Sequence, residues 1–542
     1  MIRPVQILLF SSVVFTIVIA VSFVDKTTGF CMSAVHIRTP KFFGLNNQAI
    51  AYKDISHIIT IGDSLDNKDD NADVSPGLTA VASGDTVTKR GVTSLNTVNQ
   101  GVVGITRTSL NGKSEKHCAL QDSVSIVSID IENVSSQNSA TVVSEKYDGL
   151  IRSIDYPDGN DTLLYPVFRA LYSLSATKQL LHILHFGDSQ IEGDRVSSYL
   201  RNQLQKRFGG AGMGMMPIVA NGPASLPYTY EISNGWVRYS AQDKIKKSDI
   251  NQYGIFLSYY KLKSSVVNGT DSFSGWVNLK WPNTSNPLIG RFTNCKMYFG
   301  NVTTPFNVEL VQNDSVLNKK TISKSSAFDC ITWNFKRPEK NLYIKLTGTE
   351  SPDFYGVSLT CGSGISLDNI PLRGSSGLEF TSADKLFFRR VIKNLNVKML
   401  IMQFGVNVVP YRTSNYSFYE KSFSKQLNFL KSIDPDLKII VIGVGDAAQQ
   451  TENGIESYPN IEKIRDAQRS AAFANGCAFW DSYEAMGGKN SIYSWVHADP
   501  PLAQKDYTHL TRAGARIIGE LFFRAFIEEY TRFSTNENRV KS

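Results

Sequence analysis

Three residues of this sequence have the types and spacing needed for nucleophilic catalysis. Ser189 lies in the tetrapeptide Gly-Asp-Ser-Gln at 187–190, after a strand-like run and before a helix-like segment, where we expect it to be exposed at a tight turn. Asp506 precedes His509 by three residues, just ahead of the last predicted helix. A serine hydroxyl needs a base, and the base needs an acceptor on its second ring nitrogen. The same residues could instead be ordinary helix caps.

Two further motifs could stabilise negative charge at such a serine. Residues 403–407 read Gln-Phe-Gly-Val-Asn at the end of a strand-like run, and residues 373–377 read Arg-Gly-Ser-Ser-Gly. The side-chain amide of Asn407 could donate to an oxyanion, as could the backbone N–H of Ser189. A glycine N–H of 373–377 could approach the same point because no side chain obstructs it. Both motifs could also be plain turns.

The segments around these motifs alternate between strand and helix patterns. This order predicts an α/β fold with a parallel sheet that is covered on both faces, and a site at the carboxyl ends of its strands. The predicted strands are 180–186, 397–404, 437–442 and 477–480, and the predicted helices are 191–208, 416–433, 461–475 and 511–530.

Between about 221 and 368 the helical pattern gives way to short strand-like runs, such as 296–302, 306–312 and 342–347. This pattern predicts an inserted β-sandwich. Four of the six tryptophans lie here, and we expect most of them in the core, while one or two could stack on sugar rings. They are Trp236, Trp276, Trp281 and Trp333.

The N-terminal segment predicts an export signal or a membrane anchor. Residues 5–24 contain no charged residue, follow Arg3, and are about long enough to cross a bilayer. The long apolar run favours an uncleaved anchor over a cleaved signal peptide, with everything after Asp25 outside the cytoplasm. Residues 26–143 are rich in polar residues and valine, which indicates a spacer or a poorly packed extension.

Taken in order, Gly-Asp-Ser, Gly-Ser-Ser-Gly, Gly-x-Asn and Asp-x-x-His resemble the four blocks of the SGNH (GDSL-type) hydrolase family. The resemblance implies a flavodoxin-like three-layer fold and ester hydrolysis without a metal or other cofactor. It also implies Ser189 as nucleophile, His509 as base and Asp506 as its orienting partner. Gly374 and Asn407 would join Ser189 in the oxyanion hole.

The position of the insert and the sequence Gly-Asp-Ser-Gln are similar to bacterial peptidoglycan O-acetyl esterases and related polysaccharide deacetylases, in which the insert resembles a carbohydrate-binding module. We therefore divide the chain into a signal or anchor at 1–25, a polar extension or spacer at 26–146, the hydrolase domain at 147–226 and 368–535, and the insert at 227–367. Gln190 departs from the usual leucine, and Val408 stands where many members have aspartate, which removes a hydrogen-bonding group from that loop.

Two other residues could be mistaken for members of this site. Ser64 lies in Gly-Asp-Ser-Leu at 62–65, which fits the family tetrapeptide better than residues 187–190. No helix pattern and no partner blocks follow it, so we favour Ser189. His497 lacks an acid three residues before it, and we expect it to line the site mouth or cap a loop.

We therefore predict a serine esterase that removes acetyl or other small acyl groups from a polysaccharide in the periplasm or at the cell surface. Acyl transfer, lipid ester hydrolysis and polysaccharide binding without catalysis are the alternatives. The 57 Lys and Arg against 49 Asp and Glu give a net charge of +8 without a basic block, which argues against nucleic-acid binding. Cys295 and Cys330 could form a disulfide or remain free thiols.

Overall fold

The computed structural model describes residues 52, 53, 55, 58, 152–219, 228–243, 251–267, 270–280, 286–312, 315–336 and 341–541. The predicted anchor, nearly all of the predicted spacer, Ser64 and Trp281 lie outside the described residues. Within the described part, no helix has both the length and the apolar character needed to cross a membrane.

The described residues from 152 onward form three successive groups of elements. The first group contains α1 (Tyr165–Tyr172), α2 (Leu174–Thr177), β1 (Leu180–Gly187) and α3 (Arg195–Phe208). The second contains strands β2 (Gly214–Met216), β3 (Thr229–Ile232), β4 (Trp236–Ser240), β5 (Ser258–Leu262), β6 (Ser265–Val267), β7 (Thr270–Lys280), β8 (Asn294–Gly300), β9 (Phe306–Gln312), β10 (Ser315–Ile322), β11 (Asp329–Asn334), β12 (Asn341–Gly348) and β13 (Asp353–Thr360).

The third group returns to alternating strands and helices. Its members are β14 (Gly364–Pro371), α4 (Lys385–Asn394), β15 (Val397–Gln403), α5 (Ser417–Ile433), β16 (Lys438–Ile442), β17 (Ala448–Thr451), β18 (Gly454–Ser457), α6 (Ile461–Ala474), β19 (Ala478–Trp480), α7 (Ser482–Ala485), α8 (Ser491–Val496) and α9 (Arg512–Lys541).

A parallel sheet at the centre of the molecule confirms the predicted α/β class. Its described strands run in the order β14-β1-β15-β16-β19, and each neighbouring pair is parallel. Alternate side chains of β1 enter different hydrophobic cores, Leu184 and Phe186 on one face and Leu181 and Ile183 on the other. Because side chains alternate along a strand, the sheet has two apolar faces. Helices cover each of them, so the sheet is the middle of three layers.

The strand-rich residues form two antiparallel sheets that share a third hydrophobic core. Within the described residues one sheet runs β10-β9-β12-β7-β3 with β6 added, and the other runs β11-β8-β13-β5-β4 with β2 added. Val277 of the first sheet and Phe354 of the second both lie in this core. The chain leaves the parallel sheet after β1 and α3 and returns to it at β14. The two sheets of the sandwich are therefore inserted between the first and second strands of the parallel sheet in chain order.

Some sequence expectations differ from the structure at the ends of elements. The helix predicted to begin at 191 begins at Arg195, because Gly193 has a φ of 70° and interrupts the helical backbone. The last helix runs on to Lys541, since Phe533 continues its buried stripe. Cys295 and Cys330 are both free thiols.

Candidate active site

The nucleophile candidate lies directly after the carboxyl end of β1, where Ser189 opens a short 3-10 turn. Its exposure is 8%, so the expectation of an exposed serine is wrong. The reason is that the loop of residues 506–510 packs against the turn. Arg195, at the start of α3, donates through its guanidinium to the carbonyl oxygens of Ser189 and Leu510 and so joins the turn to that loop.

Ser189, His509 and Asp506 form one continuous chain of hydrogen bonds. The Oγ of Ser189 lies 2.8 Å from Nε2 of His509. The Nδ1 of His509 lies 2.7 Å from Oδ2 of Asp506. With the ring proton on Nδ1, the imidazole donates to the carboxylate and its Nε2 accepts from the serine hydroxyl. This is the arrangement in which the imidazole can remove the serine proton.

The carboxylate of Asp506 is held in its ionised form by hydrogen bonds. Partial burial acts to raise its pKa, but the His509 ring and the backbone N–H groups of His509 and Thr508 donate to it and lower the pKa to about 2. Both backbone bonds are 3.0 Å long and end on Oδ1. Since Oδ2 binds the ring, Asp506 is an anion that fixes the tautomer and the orientation of His509.

The two segments predicted to supply oxyanion donors contact each other at the carboxyl edge of the sheet. They are residues 373–377 and residues 403–407, the Asn407 loop. The side-chain amide of Asn407 donates to the carbonyl oxygen of Ser375 over 2.8 Å, which leaves its second N–H for another acceptor. Gly374 has a φ of +77°, and a Cβ added to it would meet no heavy atom within 4 Å. The space beside the Cα of Gly374 is therefore open, and a substrate could occupy it.

A buried carboxylate connects the nucleophile turn to the Asn407 loop. Asp188 is 1% exposed, and its two oxygens accept from the backbone N–H groups of Gln190 and Val406 over 3.0 and 3.3 Å. Burial raises the pKa of Asp188 to about 6, although these hydrogen bonds and the nearby His509 oppose the rise. The sequence motif contains Asp188, but its reach to a loop 218 residues away was not predicted.

The Asn407 loop is therefore held without an aspartate at position 408. Val408 is 4% exposed and lies in the hydrophobic core. Gly405 has a φ of +126°, and a Cβ there would lie 2.8 Å from Cβ of Val444. Glycine is thus required by both backbone angle and space, and the turn it makes places the N–H of Val406 toward Asp188.

A small cavity of about 30 Å³ lies next to the triad and has room for about one water molecule. Its lining includes Asp188, Gln190, Asp446, Thr508 and Leu510. The residues predicted to act on the substrate do not line it; they are Ser189, His509, Gly374 and Asn407.

His497 lies outside the triad. Its Nδ1 is 2.8 Å from the carbonyl oxygen of Tyr493, one helical turn earlier in α8, and its ring stacks on that of Tyr493 with centroids 4.1 Å apart. Tyr507, in the loop between Asp506 and His509, lies 6.1 Å from the His497 ring. His497 thus caps the end of α8 beside residues 506–510, the histidine loop.

A comparison with solved structures finds the same fold in an enzyme. The chain superposes on a peptidoglycan O-acetylesterase with a TM-score of 0.55 and 15% identity, over 68% of this chain and 96% of that chain. The protein has the SGNH hydrolase fold. The resemblance inferred from the four sequence motifs is confirmed at this level, and the activity has to be argued from the site itself.

Other solved structures with more distant similarity include a GDSL-like lipase from Parabacteroides merdae, with a TM-score of 0.23 and 16% identity over 30% of this chain and 72% of that chain. A family two carbohydrate esterase from Cellvibrio japonicus has a TM-score of 0.22 and 6% identity over 56% of this chain and 99% of that chain. No protein-family model and no curated protein matches the sequence.

Proposed function

We propose that this protein is a serine esterase that removes O-acetyl groups from an extracytoplasmic polysaccharide such as peptidoglycan. The observation that carries the proposal is the unbroken path of hydrogen bonds from Ser189 through His509 to Asp506, with bonds of 2.8 and 2.7 Å. A buried serine that bonds a histidine, which in turn bonds a carboxylate, is the arrangement that activates a hydroxyl for acyl transfer.

In the first half of the reaction, Oγ of Ser189 attacks the ester carbonyl carbon while Nε2 of His509 accepts the hydroxyl proton. The charge that develops on the carbonyl oxygen is stabilised by the backbone N–H groups of Ser189 and Gly374 and by the free N–H of the Asn407 amide. His509 then gives its proton to the departing sugar oxygen, so that the sugar leaves as an alcohol and an acyl-serine remains.

In the second half, water attacks the acyl-serine. His509 accepts a proton from the water, the same donors stabilise the second oxyanion, and the proton returns to Oγ of Ser189 as the carboxylic acid leaves. Asp506 stays ionised throughout and stabilises the imidazolium that forms in each half. The residues needed for each proton transfer are therefore present in the chain.

An aromatic pair on the sandwich supports a polysaccharide as the substrate. Trp276 and Tyr343 lie on neighbouring strands β7 and β12, with ring centroids 5.3 Å apart and planes at 25°. Their sequence neighbours Val277 and Ile344 are fully buried, so the aromatic rings lie on the opposite, outer face of the sheet. Flat, partly exposed rings of this kind can stack on sugar rings.

The fold supports acetyl as the acyl group, because the solved structure that superposes with a TM-score of 0.55 is a peptidoglycan O-acetylesterase. The location outside the cytoplasm is supported by the uncharged apolar run at 5–24. An anchor at this position would hold the catalytic domain near the polymer that encloses the cell.

The proposal is tested with the purified protein without the predicted anchor at residues 1–25. It is incubated with O-acetylated peptidoglycan, with acetylated xylan and with the same polymers after chemical deacetylation. We expect acetate release from acetylated polymer and none from the deacetylated controls. A higher rate on peptidoglycan would support that substrate, and a higher rate on xylan would replace it. Failure to release acetate from either polymer or from a small acetate ester would refute the esterase assignment.

A further inference from the structure

The side chain of Gln190 bridges two backbone groups on either side of the catalytic histidine. Its Nε2 donates to the carbonyl oxygen of Thr508 over 2.7 Å, and its Oε1 accepts from the backbone N–H of Leu510 over 3.3 Å. We propose that Gln190 is a positioning residue that holds His509 against Ser189. This inference rests on the proposed function, since it assigns a role in the same site.

The hydrogen bonds of the histidine loop show what Gln190 adds. Asp506 accepts from the N–H groups of Thr508 and His509, and the backbone N–H of Gln504 donates to the carbonyl of His509 over 2.7 Å. The carbonyl of Leu510 accepts from Arg195 and Gln504. The two groups that remain between 508 and 510 are the carbonyl of Thr508 and the N–H of Leu510, and Gln190 bonds both.

The location of Gln190 in the chain makes this bridge a direct link between nucleophile and base. Gln190 follows Ser189 immediately, so a displacement of the histidine loop relative to the nucleophile turn must stretch the two hydrogen bonds of the Gln190 side chain. The 2.8 Å contact from Oγ of Ser189 to Nε2 of His509 is thereby restrained from the side of the serine. A leucine, which the family resemblance leads one to expect here, has no polar atom and cannot form either bond.

Loss of the bridge is expected to affect the rate more than the fold. Arg195 still joins the carbonyls of Ser189 and Leu510, and Asp506 still holds two N–H groups of the loop. The loop would stay in place but with less exact alignment of the imidazole. A displacement of about 1 Å between catalytic groups can lower a rate by about 100-fold.

The test compares Gln190→Leu and Gln190→Glu with a matched glutamine elsewhere. Glutamate has nearly the same size and keeps an acceptor for Leu510, but it places a carboxylate oxygen against the carbonyl of Thr508. The control is Gln426→Leu, because Gln426 makes a similar pair of bonds to Thr381, with its Oε1 accepting from the backbone N–H over 2.9 Å and its Nε2 donating to Oγ1 over 3.3 Å.

We expect both Gln190 variants to lower kcat on a small acetate ester by about 10- to 100-fold with little change in KM. Labelling of Ser189 by a fluorophosphonate should slow by a similar factor, while Gln426→Leu keeps the wild-type kcat and labelling rate. Thermal unfolding of all three variants should show similar, small shifts in Tm.

A wild-type kcat in Gln190→Leu would overturn the positioning role, as would an equal loss of kcat in Gln426→Leu. A rise in KM without a fall in kcat would also overturn it, since that pattern indicates substrate contact. These results differ from failure of the proposed function, in which the wild-type protein neither hydrolyses the ester nor reacts with the fluorophosphonate.

Discussion

The carboxylate of Asp188 accepts a hydrogen bond from the backbone N–H of Val406 over 3.3 Å, although the two residues are 218 positions apart in the sequence. The other oxygen of Asp188 accepts from the N–H of Gln190 over 3.0 Å. The nucleophile turn and the Asn407 loop are thus tied to one buried group. Their N–H donors are therefore set relative to each other before a substrate binds, which is what electrostatic stabilisation of an oxyanion requires.

We expect Asn407→Ala to lower kcat on a small acetate ester by about 100- to 1,000-fold, because one donor to the oxyanion is removed. KM should change little, since the donor acts mainly on the charge that develops in the transition state. Steady-state kinetics measure both constants. Asn453→Ala, at an exposed hairpin position, should behave like wild type. An unchanged kcat in Asn407→Ala would exclude its amide from the oxyanion hole.

We expect Ser189→Ala to lower ester hydrolysis by about 10,000-fold or more, because no hydroxyl remains to form the acyl intermediate. Ser64→Ala is the matched control, since Ser64 lies in the other Gly-Asp-Ser of the chain and should keep full activity. Acetate release and fluorophosphonate labelling measure the two variants. Loss of activity in Ser64→Ala with retention in Ser189→Ala would move the nucleophile to the upstream motif.

The sequence predicts the places of Ser189 and Asn407 because each of their motifs follows an apolar run. Runs such as the one before Ser189 become buried parallel strands, and the carboxyl ends of parallel strands lie along one edge of the sheet. The contact between Ser189 and His509 could therefore be predicted from two local patterns and the family resemblance. The motif of Asp506 and His509 follows no such run, so its contact with Ser189 was predicted from the family resemblance.

The support around the triad could not be predicted in the same way. The bonds from Gln190 to Thr508 and from Asp188 to Val406 depend on how distant loops pack, and the sequence has no periodic signal for such contacts. The burial of Ser189 was missed for the same reason. The departure of position 190 from leucine was visible in the sequence, and a polar side chain beside the nucleophile is the signal that could have suggested the bridge.

We expect Asp506→Asn to lower kcat by about 1,000- to 10,000-fold, because an amide can stabilise the wrong tautomer of His509 and cannot stabilise the imidazolium. Since hydrogen bonds lower the pKa of Asp506 to about 2, the wild-type carboxylate is ionised at every pH above about 4, and protonation of Asp506 should not change the wild-type rate from pH 5 to 9. Rates measured across that range test this. Asp158→Asn, at an exposed turn, is the control, and activity of Asp506→Asn within tenfold of wild type would contradict the assigned role.

We expect Trp276→Ala to weaken the use of polymer and to leave the hydrolysis of a small acetate ester unchanged. The loss of one stacking surface should raise the apparent KM for acetylated polysaccharide by about threefold to tenfold. Tyr343→Phe keeps the ring beside Trp276 and should remain near wild type. Kinetics on both substrates separate the two effects. Equal kinetics of Trp276→Ala and wild type on polymer would show that this face of the sandwich does not bind the substrate.

The buried carboxylate of Asp446 predicts a specific dependence of stability on pH. Burial raises its pKa from about 3.8 to about 6, although the N–H of Ile492 and the hydroxyls of Ser457 and Ser491 donate to it. Between about pH 4 and 6 the folded protein therefore binds this proton more tightly than the unfolded chain does. The contribution of Asp446 to the free energy of unfolding must then fall as pH rises through this window and become constant above it.

Asp446 lowers the free energy of unfolding by about 1 to 3 kcal/mol as pH rises from 4.5 to 7, and we expect Asp446→Asn to remove this decrease because the amide does not titrate. Urea denaturation at pH 4.5, 5.5 and 7 measures this difference. Burial raises the pKa of Asp188 in the same direction, so part of the wild-type pH dependence should persist in the variant. An identical pH dependence in wild type and Asp446→Asn would mean that Asp446 ionises in the folded protein as readily as in the unfolded chain.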